Sequence, residues 1–222
     1  MNPIIHRFPE VSSTQDEARR LIEVGRARVG HVVLADRQRD GRGRFGRAWC
    51  SPAGGLYATF LAPNRRLVSL EAGVVVAEAL GDRGIAVGLK WPNDLLLDDG
   101  KLGGILVETA DGIALIGIGL NLTESPLETA TSLAEHGMAI AKGDLILALW
   151  RVLHRERSDD EILEAHRRRS ATLGRRVSIE MAAGRSIEGV AADIDLDGRL
   201  VVETADGTCA IASGECIHAL GD

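Results

Sequence analysis

The sequence predicts an α+β protein in two parts: a mixed helix-and-strand domain over residues 1–172 and a small β domain over residues 173–222. Three observations carry this. A length of 222 residues suits one substantial domain and a small one, at about 100–200 residues per domain. Helical and strand periodicities alternate as far as Thr172. After Leu173-Gly174 only short alternating strands remain; four in about 50 residues suggest a small barrel of SH3-like size.

The elements follow in order. Thr14-Gln15-Asp16-Glu17 has capping-box spacing, with the Thr14 hydroxyl placed to accept from the Glu17 N–H. Ala18, Leu21 and Ile22 then form one apolar stripe, and Gly25 is a natural stop. His31–Ala35 and Leu56–Leu61 read as strands. Ser69 is expected to cap a helix running through Ala72, Val75, Val76 and Leu80 to Gly81. Strands follow at Val87–Trp91, Leu95–Leu97, Gly104–Thr109 and Ile113–Leu120. Asp99-Gly100 and Asp111-Gly112 supply positive-φ turn residues. Lys142–Arg169 is helical again, broken in two at Ser158-Asp159-Asp160. The last strands are Val177–Glu180, Ser186–Ile194, Leu200–Thr204 and Cys209–Ala212, joined at Ala183-Gly184, Asp197-Gly198 and Asp206-Gly207.

Composition narrows the function. A net charge of −6 argues against bulk nucleic-acid binding, which shows a basic footprint. Cys50, Cys209 and Cys216 form no Cys-x-x-Cys pair, so a disulfide framework is not expected and a reducing compartment is. The N-terminus lacks the basic and apolar regions of a signal peptide, and no apolar run approaches the ~18 residues of a membrane span. The expectation is a cytoplasmic protein that does not span a membrane.

The chemistry concentrates in three stretches. Gln38-Arg39-Asp40-Gly41-Arg42-Gly43-Arg44-Phe45-Gly46-Arg47-Ala48-Trp49 contains Gly-x-Gly-x-x-Gly. A dinucleotide fold needs a helix next; here Ser51-Pro52 and Gly54-Gly55 intervene before a strand. A kinase loop lacks its companion motifs. What remains is arginine alternating with glycine, suited to carboxylate or phosphate at close backbone approach. Four guanidinium groups repel one another unless solvated or matched by anions. Alone, the stretch is equally well explained as a solvated surface loop, touching RNA. Lys90-Trp91-Pro92-Asn93-Asp94 offers a lysine for phosphate and hard oxygens for Mg²⁺, or simply a polar turn. Lys101-Leu102-Gly103-Gly104 by itself is an ordinary hairpin lysine. Gly117-Ile118-Gly119-Leu120-Asn121 suggests that something packs against a strand backbone. Asn121 suits a purine or ribose, and a sheet bulge explains the glycines as well.

Together these stretches resemble the biotin–protein ligases, in that family's own order. The resemblance rests on Ser13-Thr14, Gln38 to Trp49, Ser51-Pro52, Lys90 to Leu95, Lys101 to Glu108 and Gly117 to Asn121, and covers nearly the whole chain. It implies a class II aminoacyl-tRNA synthetase-like mixed-sheet catalytic domain and an ATP-dependent biotin–[acetyl-CoA-carboxylase] ligase. Such an enzyme makes biotinyl-5′-AMP and transfers biotin to a lysine of a biotin carboxyl carrier domain. The implied cofactors are ATP, biotin and Mg²⁺. Arg42, Arg44 and Lys101 would be catalytic. Ser13, Thr14, Gln15, Gln38, Arg42, Gly43, Arg44, Lys101, Gly103 and Gly104 would bind biotin. Arg44, Arg47, Trp49, Lys90, Asn93, Asp94 and Asn121 would bind ATP, with Asp94 on the metal.

The family often has Ser-Thr-Asn where this chain has Ser13-Thr14-Gln15, which puts the third side chain's role in doubt. Only about a dozen residues precede Ser13, too few for a DNA-binding winged helix of ordinary domain size. The expectation is therefore the monofunctional type, with no DNA or membrane partner and a homodimer allowed. The loop is expected to be mobile without ligand and ordered by the adenylate. A lipoate–protein ligase is the nearest alternative. An RNA-binding module is a more distant one, disfavoured by 3% aromatic residues and the acidic composition.

Overall fold

A computed structural model describes residues 2–181 and 184–218. Seven strands form one sheet: β1 (Ile4–Val11), β2 (His31–Gln38), β3 (Leu56–Pro63), β4 (Gly88–Lys90), β5 (Asp94–Leu97), β6 (Gly100–Ala110) and β7 (Ile113–Leu120). Their order is β1-β2-β3-β7-β6-β5-β4, and only β1 and β2 run parallel.

Side chains alternate across these strands, so each face carries its own core. Val33, Leu61 and Leu115 pack on one face against Ala18 and Leu21 of helix α1 (Thr14–Glu23). Val32, Leu34, Phe60, Ile116 and Ile118 pack on the other, against α2 (Val68–Gly81) and α3 (Lys142–Leu153). α2 is apolar nearly all round, as befits a helix buried on every side.

Helix α4 (Asp159–Arg168) begins with a capping box between Ser158 and Glu161 and leads into a second sheet. Strands β8 (Arg176–Glu180), β9 (Ser186–Ile194), β10 (Leu200–Thr204), β11 (Gly207–Ile211) and β12 (Glu215–His218) are antiparallel in the order β11-β10-β9-β8-β12. These five strands make up the small antiparallel β domain expected after Leu173. Its inner residues share one apolar cluster with Leu67, Leu70, Trp91, Ile162 and Leu163 of the first part. Trp91 anchors the contact: its Nε1 donates to Gly198 O at 3.2 Å and its backbone N–H to Thr172 Oγ1 at 3.0 Å. The tryptophan in the Lys-Trp-Pro-Asn-Asp stretch thus serves packing.

Several local expectations are corrected. Ser13, not Thr14, caps α1, its oxygen accepting from Gln15 N–H at 3.2 Å, while the Thr14 hydroxyl points to Gln38. α2 starts at Val68 after Leu67, without a side-chain cap, so Ser69 lies inside it. The turn before β6 takes its positive φ at Asp98, not at Gly100. Gly100 is required instead by space, because a Cβ there would come 2.7 Å from Thr131 Cβ. Asp111-Gly112, Gly198 and Gly207 do adopt positive φ. Of the Ala183-Gly184 turn, Gly184 has φ +70° and Ala183 lies outside the described residues. Strands β1 and β12 were not foreseen.

His166 in α4 is buried, and its Nδ1 has no partner among the described residues. Burial pushes its pKa down to about 4. His218, accepting from or donating to Thr172 Oγ1 at 3.1 Å, is also lowered to about 4 by burial. Between the ordinary histidine value and these folded values the unfolded chain binds more protons, so stability falls as pH drops through that window. Urea denaturation at pH 7 and pH 5 checks this. His166 alone is expected to account for about 2 kcal/mol of the loss between pH 7 and pH 5, and His166→Leu to flatten the acid limb.

Candidate active site

The N-terminal end of α1 opens onto a cleft of about 1050 Å³ on the same face of the sheet. β6 and β7 supply its floor. Gly104 pairs with Gly119, and Leu106 with Gly117, so three glycines share the cleft face while Ile105 and Ile118 fill the core behind. Trp49 lies on this floor: a Cβ on Gly119 would sit 2.6 Å from its Nε1, and one on Gly104 3.4 Å from its ring. Gln15 lies against Gly117 in the same way, at 2.9 Å. The small residues of β7 therefore accommodate this chain's own Trp49 and Gln15. Gly103 points the other way, where its Cβ would meet Gly119 O and Leu120 at 2.5 Å, so it is held by packing and does not line the cleft.

The arginine–glycine stretch folds back over the cleft. Its base is closed by Trp49 N–H to Gly41 O at 2.8 Å and Gly43 N–H to Arg47 O at 2.8 Å, with Phe45 at φ +56° at the tip. Each arginine meets a different partner. Arg39 lies 3.6 Å from Glu10. Arg42 donates to both oxygens of Asp16 at 2.8 and 2.5 Å, a pairing that holds the Asp16 carboxyl below its usual range. Arg44 reaches Asn93 Oδ1 at 3.4 Å, Gly214 O at 3.2 Å and Ser213 Oγ at 2.9 Å, and stacks on Phe45. Burial lowers the Arg44 pKa, with Asp94 partly offsetting. Arg47 pairs with both oxygens of Glu215. That hydrogen-bonded pairing lowers the Glu215 pKa, and the charges of Lys90 and Lys101 add to the effect.

Opposite the loop, β4 and β5 bring Lys90 level with Asp94. Lys101 Nζ lies 2.7 Å from Asp94 Oδ1 and 5.6 Å from the centre of the Trp49 ring. Asn93 Nδ2 is spent on Ile105 O at 3.0 Å. Asn121 is buried, and its Nδ2 donates to Lys101 O and Thr131 O at 3.3 and 3.0 Å. It therefore braces the Lys101 strand and has only its carbonyl oxygen to offer a ligand. At the α1 end, Thr14 gives its N–H and hydroxyl to Gln38 Oε1 at 2.8 and 3.1 Å, and Gln38 Nε2 gives to Ser51 Oγ at 2.9 Å.

The cleft thus gathers Ser13, Thr14, Gln15, Gln38, Arg42, Gly43, Arg44, Arg47, Trp49, Lys90, Asn93, Asp94, Lys101, Gly104 and Asn121. Sequence reasoning missed the carboxylates Asp16 and Glu215, the Ser213-Gly214 contact, and the wall formed by Pro126, Leu127 and Ala130. Asp16 had a faint signal as an acid in the first turn of a helix. Glu215 had none, since it lies 168 positions from Arg47. No group of three or more His, Cys, Asp or Glu is placed to hold a metal among the described residues.

Because the Arg47–Glu215 pair is largely exposed, it contributes at most ~1 kcal/mol to stability. Glu215→Gln should leave the melting curve nearly unchanged yet raise tryptic cleavage after Arg44 and Arg47 several-fold. Equal cleavage of the two proteins would show that Glu215 does not hold the loop.

Comparison with known proteins agrees with this geometry. Residues 8–122 match the Biotin/lipoate A/B protein ligase family, and residues 172–219 match the Biotin protein ligase C terminal domain. The chain is 35% identical to the biotin–[acetyl-CoA-carboxylase] ligase of Mycobacterium tuberculosis, over 85% of this chain and 79% of that protein. It is 33% identical to the bifunctional ligase/repressor BirA of Escherichia coli, over 88% of this chain and 68% of that one. Its fold superposes with a TM-score of 0.84 on the biotin protein ligase of Aquifex aeolicus in complex with biotin and ATP, at 31% identity, covering 97% of this chain and 98% of that one. By sequence, fold and the residues gathered in its cleft, this chain belongs to the biotin/lipoate A/B protein ligase family.

Proposed function

We propose that the protein is an ATP-dependent biotin–[acetyl-CoA-carboxylase] ligase. It activates biotin as biotinyl-5′-AMP and passes the biotinyl group to one lysine of a biotin carboxyl carrier protein. The observation that carries this is the convergence of Arg42, Arg44, Arg47, Lys90 and Lys101 on one glycine-floored cleft, in a fold whose Aquifex relative holds biotin and ATP.

In the first step a biotin carboxylate oxygen attacks the α-phosphorus, and the bond to pyrophosphate breaks. Bringing two like unit charges to 4 Å costs roughly 4 kcal/mol at an effective dielectric of 20. The five cations offset this. Arg42 and Arg44 would meet the carboxylate and α-phosphate, Lys101 the reacting oxygen, and Lys90 with Arg47 the outer phosphates. In the second step the carrier amine attacks the acyl carbon, AMP leaves, and the amine loses its proton as the amide forms. Neither step requires a protein nucleophile. Ser13, Thr14, Gln15, Gln38, Gly43 and Gly104 would surround biotin, and Trp49 and Asn121 the nucleotide.

Mg²⁺ fits this cleft as a companion of the triphosphate. It takes one or two carboxylates plus phosphate oxygens, and Asp94 offers a carboxylate there, 2.7 Å from Lys101 Nζ. Bound there, the ion would neutralise phosphate charge.

We assign residues 1–172 to catalysis and 173–222 to the C-terminal domain, whose Ser213, Gly214 and Glu215 reach the loop. No helix is long and apolar enough to cross a membrane among the described residues, and the three cysteines are free; we place the protein in the cytoplasm. Among the described residues the β1 edge of the sheet pairs only with β2, which leaves room for a homodimer through the catalytic sheet. Neither DNA nor a membrane is needed.

Biotin-dependent exchange of labelled pyrophosphate into ATP tests the first step. The wild-type chain should exchange with biotin and not with lipoate. Lys101→Ala should lose about 100- to 1000-fold, the scale of one donor to developing charge, with an unchanged circular dichroism spectrum. Exchange with lipoate in place of biotin would move the chain to the sister activity. Full exchange by Lys101→Ala would remove that residue from the chemistry.

A further inference from the structure

The cleft wall of Pro126, Leu127 and Ala130 belongs to a segment, residues 123–131, that is mostly exposed, Leu127 at 62%. Little apolar burial therefore holds it in place. Its two arms are supported differently. The later arm is fixed to the sheet: Lys101 N–H donates to Thr129 O at 3.2 Å, Thr131 N–H to Lys101 O at 3.0 Å, and Asn121 Nδ2 to Thr131 O at 3.0 Å. Thr131 Oγ1 also meets His136 Nε2 at 2.9 Å. From the earlier arm, residues 123–128, Ser125 makes the only hydrogen bonds that leave the segment among the described residues. Both go to Glu135.

The Glu135 carboxylate spans the two arms. Its Oε1 accepts from Ser125 N–H at 3.3 Å and from Ser125 Oγ at 2.8 Å. Its Oε2 accepts from Thr131 Oγ1 at 3.0 Å and from Ser132 N–H at 3.1 Å. These donors, the Ser125 and Thr131 hydroxyls foremost, hold its pKa below the ordinary carboxylate value. It is therefore ionised at neutral pH, and both oxygens act as acceptors. An amide in its place has one acceptor oxygen, and its NH₂ would face donors on the other arm.

This clasp sits at one end of β6. Gln15 bonds Leu106 O at the other end, five residues along the strand from Lys101, or roughly 16 Å at about 3.3 Å per residue. Biotin is assigned to the Gln15 end and the nucleotide to the Asn121 end. We infer that Glu135 is a positioning residue for ATP. By tying Ser125 to Thr131 it builds the wall beside Lys101 and Asn121 and leaves the biotin end untouched. This rests on the function proposed above.

The test compares the full chain, wild type and Glu135→Gln, in biotin-dependent pyrophosphate exchange, with biotin affinity titrated separately in the absence of ATP. Glu135→Gln should raise the KM for ATP about 10- to 100-fold, the scale of losing hydrogen bonds to a charged group. Its kcat should change by less than about threefold and its Kd for biotin not at all. Ser125→Ala should show the same split in smaller measure, and adding it to Glu135→Gln should cost little more, since both act through one contact. A general structural loss would weaken biotin and ATP alike. An unchanged KM for ATP in Glu135→Gln, or an equal loss for biotin, would overturn the assignment. A glutamate-specific protease reads the clasp apart from the reaction: cleavage after Glu124 and Glu128 should rise several-fold in Glu135→Gln, and equal rates would contradict it. Should Glu135→Gln fail to fold, Ser125→Ala decides by the same measurements. A wild-type chain without biotin-dependent exchange would overturn the proposed function, and the proteolysis then still decides the clasp.

Discussion

Everything about this cleft depends on holding five cations together. Arg42, Arg44, Arg47, Lys90 and Lys101 line one cleft, and unmatched they would push the loop away from the sheet. Three carboxylates from separate elements pair with three of them: Asp16 from α1 with Arg42, Asp94 from β5 with Lys101 and Glu215 from β12 with Arg47. These pairs are partly exposed to solvent, which screens them and keeps each modest. That weakness suits a site whose occupants are themselves anions, because a phosphate or carboxylate can take over a guanidinium from an exposed aspartate at little cost.

The sheet makes the geometry possible. Antiparallel pairing of β6 and β7 places Gly104, Gly117 and Gly119 on one face while Ile105, Ile116 and Ile118 fill the core behind. The glycine face admits Trp49 and Gln15 to direct backbone contact. The same face carries α1, whose N-terminal residues Ser13 to Gln15 meet the end of the floor. The second sheet is seated through Trp91 and Thr172, and that seating puts Glu215 within reach of Arg47.

Much of this was legible in the sequence because the relevant signals are local. The arginine–glycine alternation, the Lys-Trp-Pro-Asn-Asp turn and the lysine–glycine strand entry each occupy a few consecutive residues, and the structure brings them to one cleft. The unread features have other causes. Ser13 and Thr14 are both good caps, and only the pull of Gln38 on Thr14 decides between them. Strand β1 carries Pro9 and charged residues at an edge, where the hydrophobic pattern is weakest. Strand β12 is four residues long. Gly103 and Gly104 look alike in sequence, and strand alternation sends them to opposite faces. Asp16 and Glu215 matter through long-range pairing, which no local pattern records.

The most direct test of the account is the intact mass of an apo biotin carrier domain after incubation with this protein, biotin, ATP and Mg²⁺. The account predicts a gain of one biotinyl group that requires ATP and disappears with Lys101→Ala. An unchanged carrier mass, or a gain seen only with lipoate on a lipoyl domain, would contradict it.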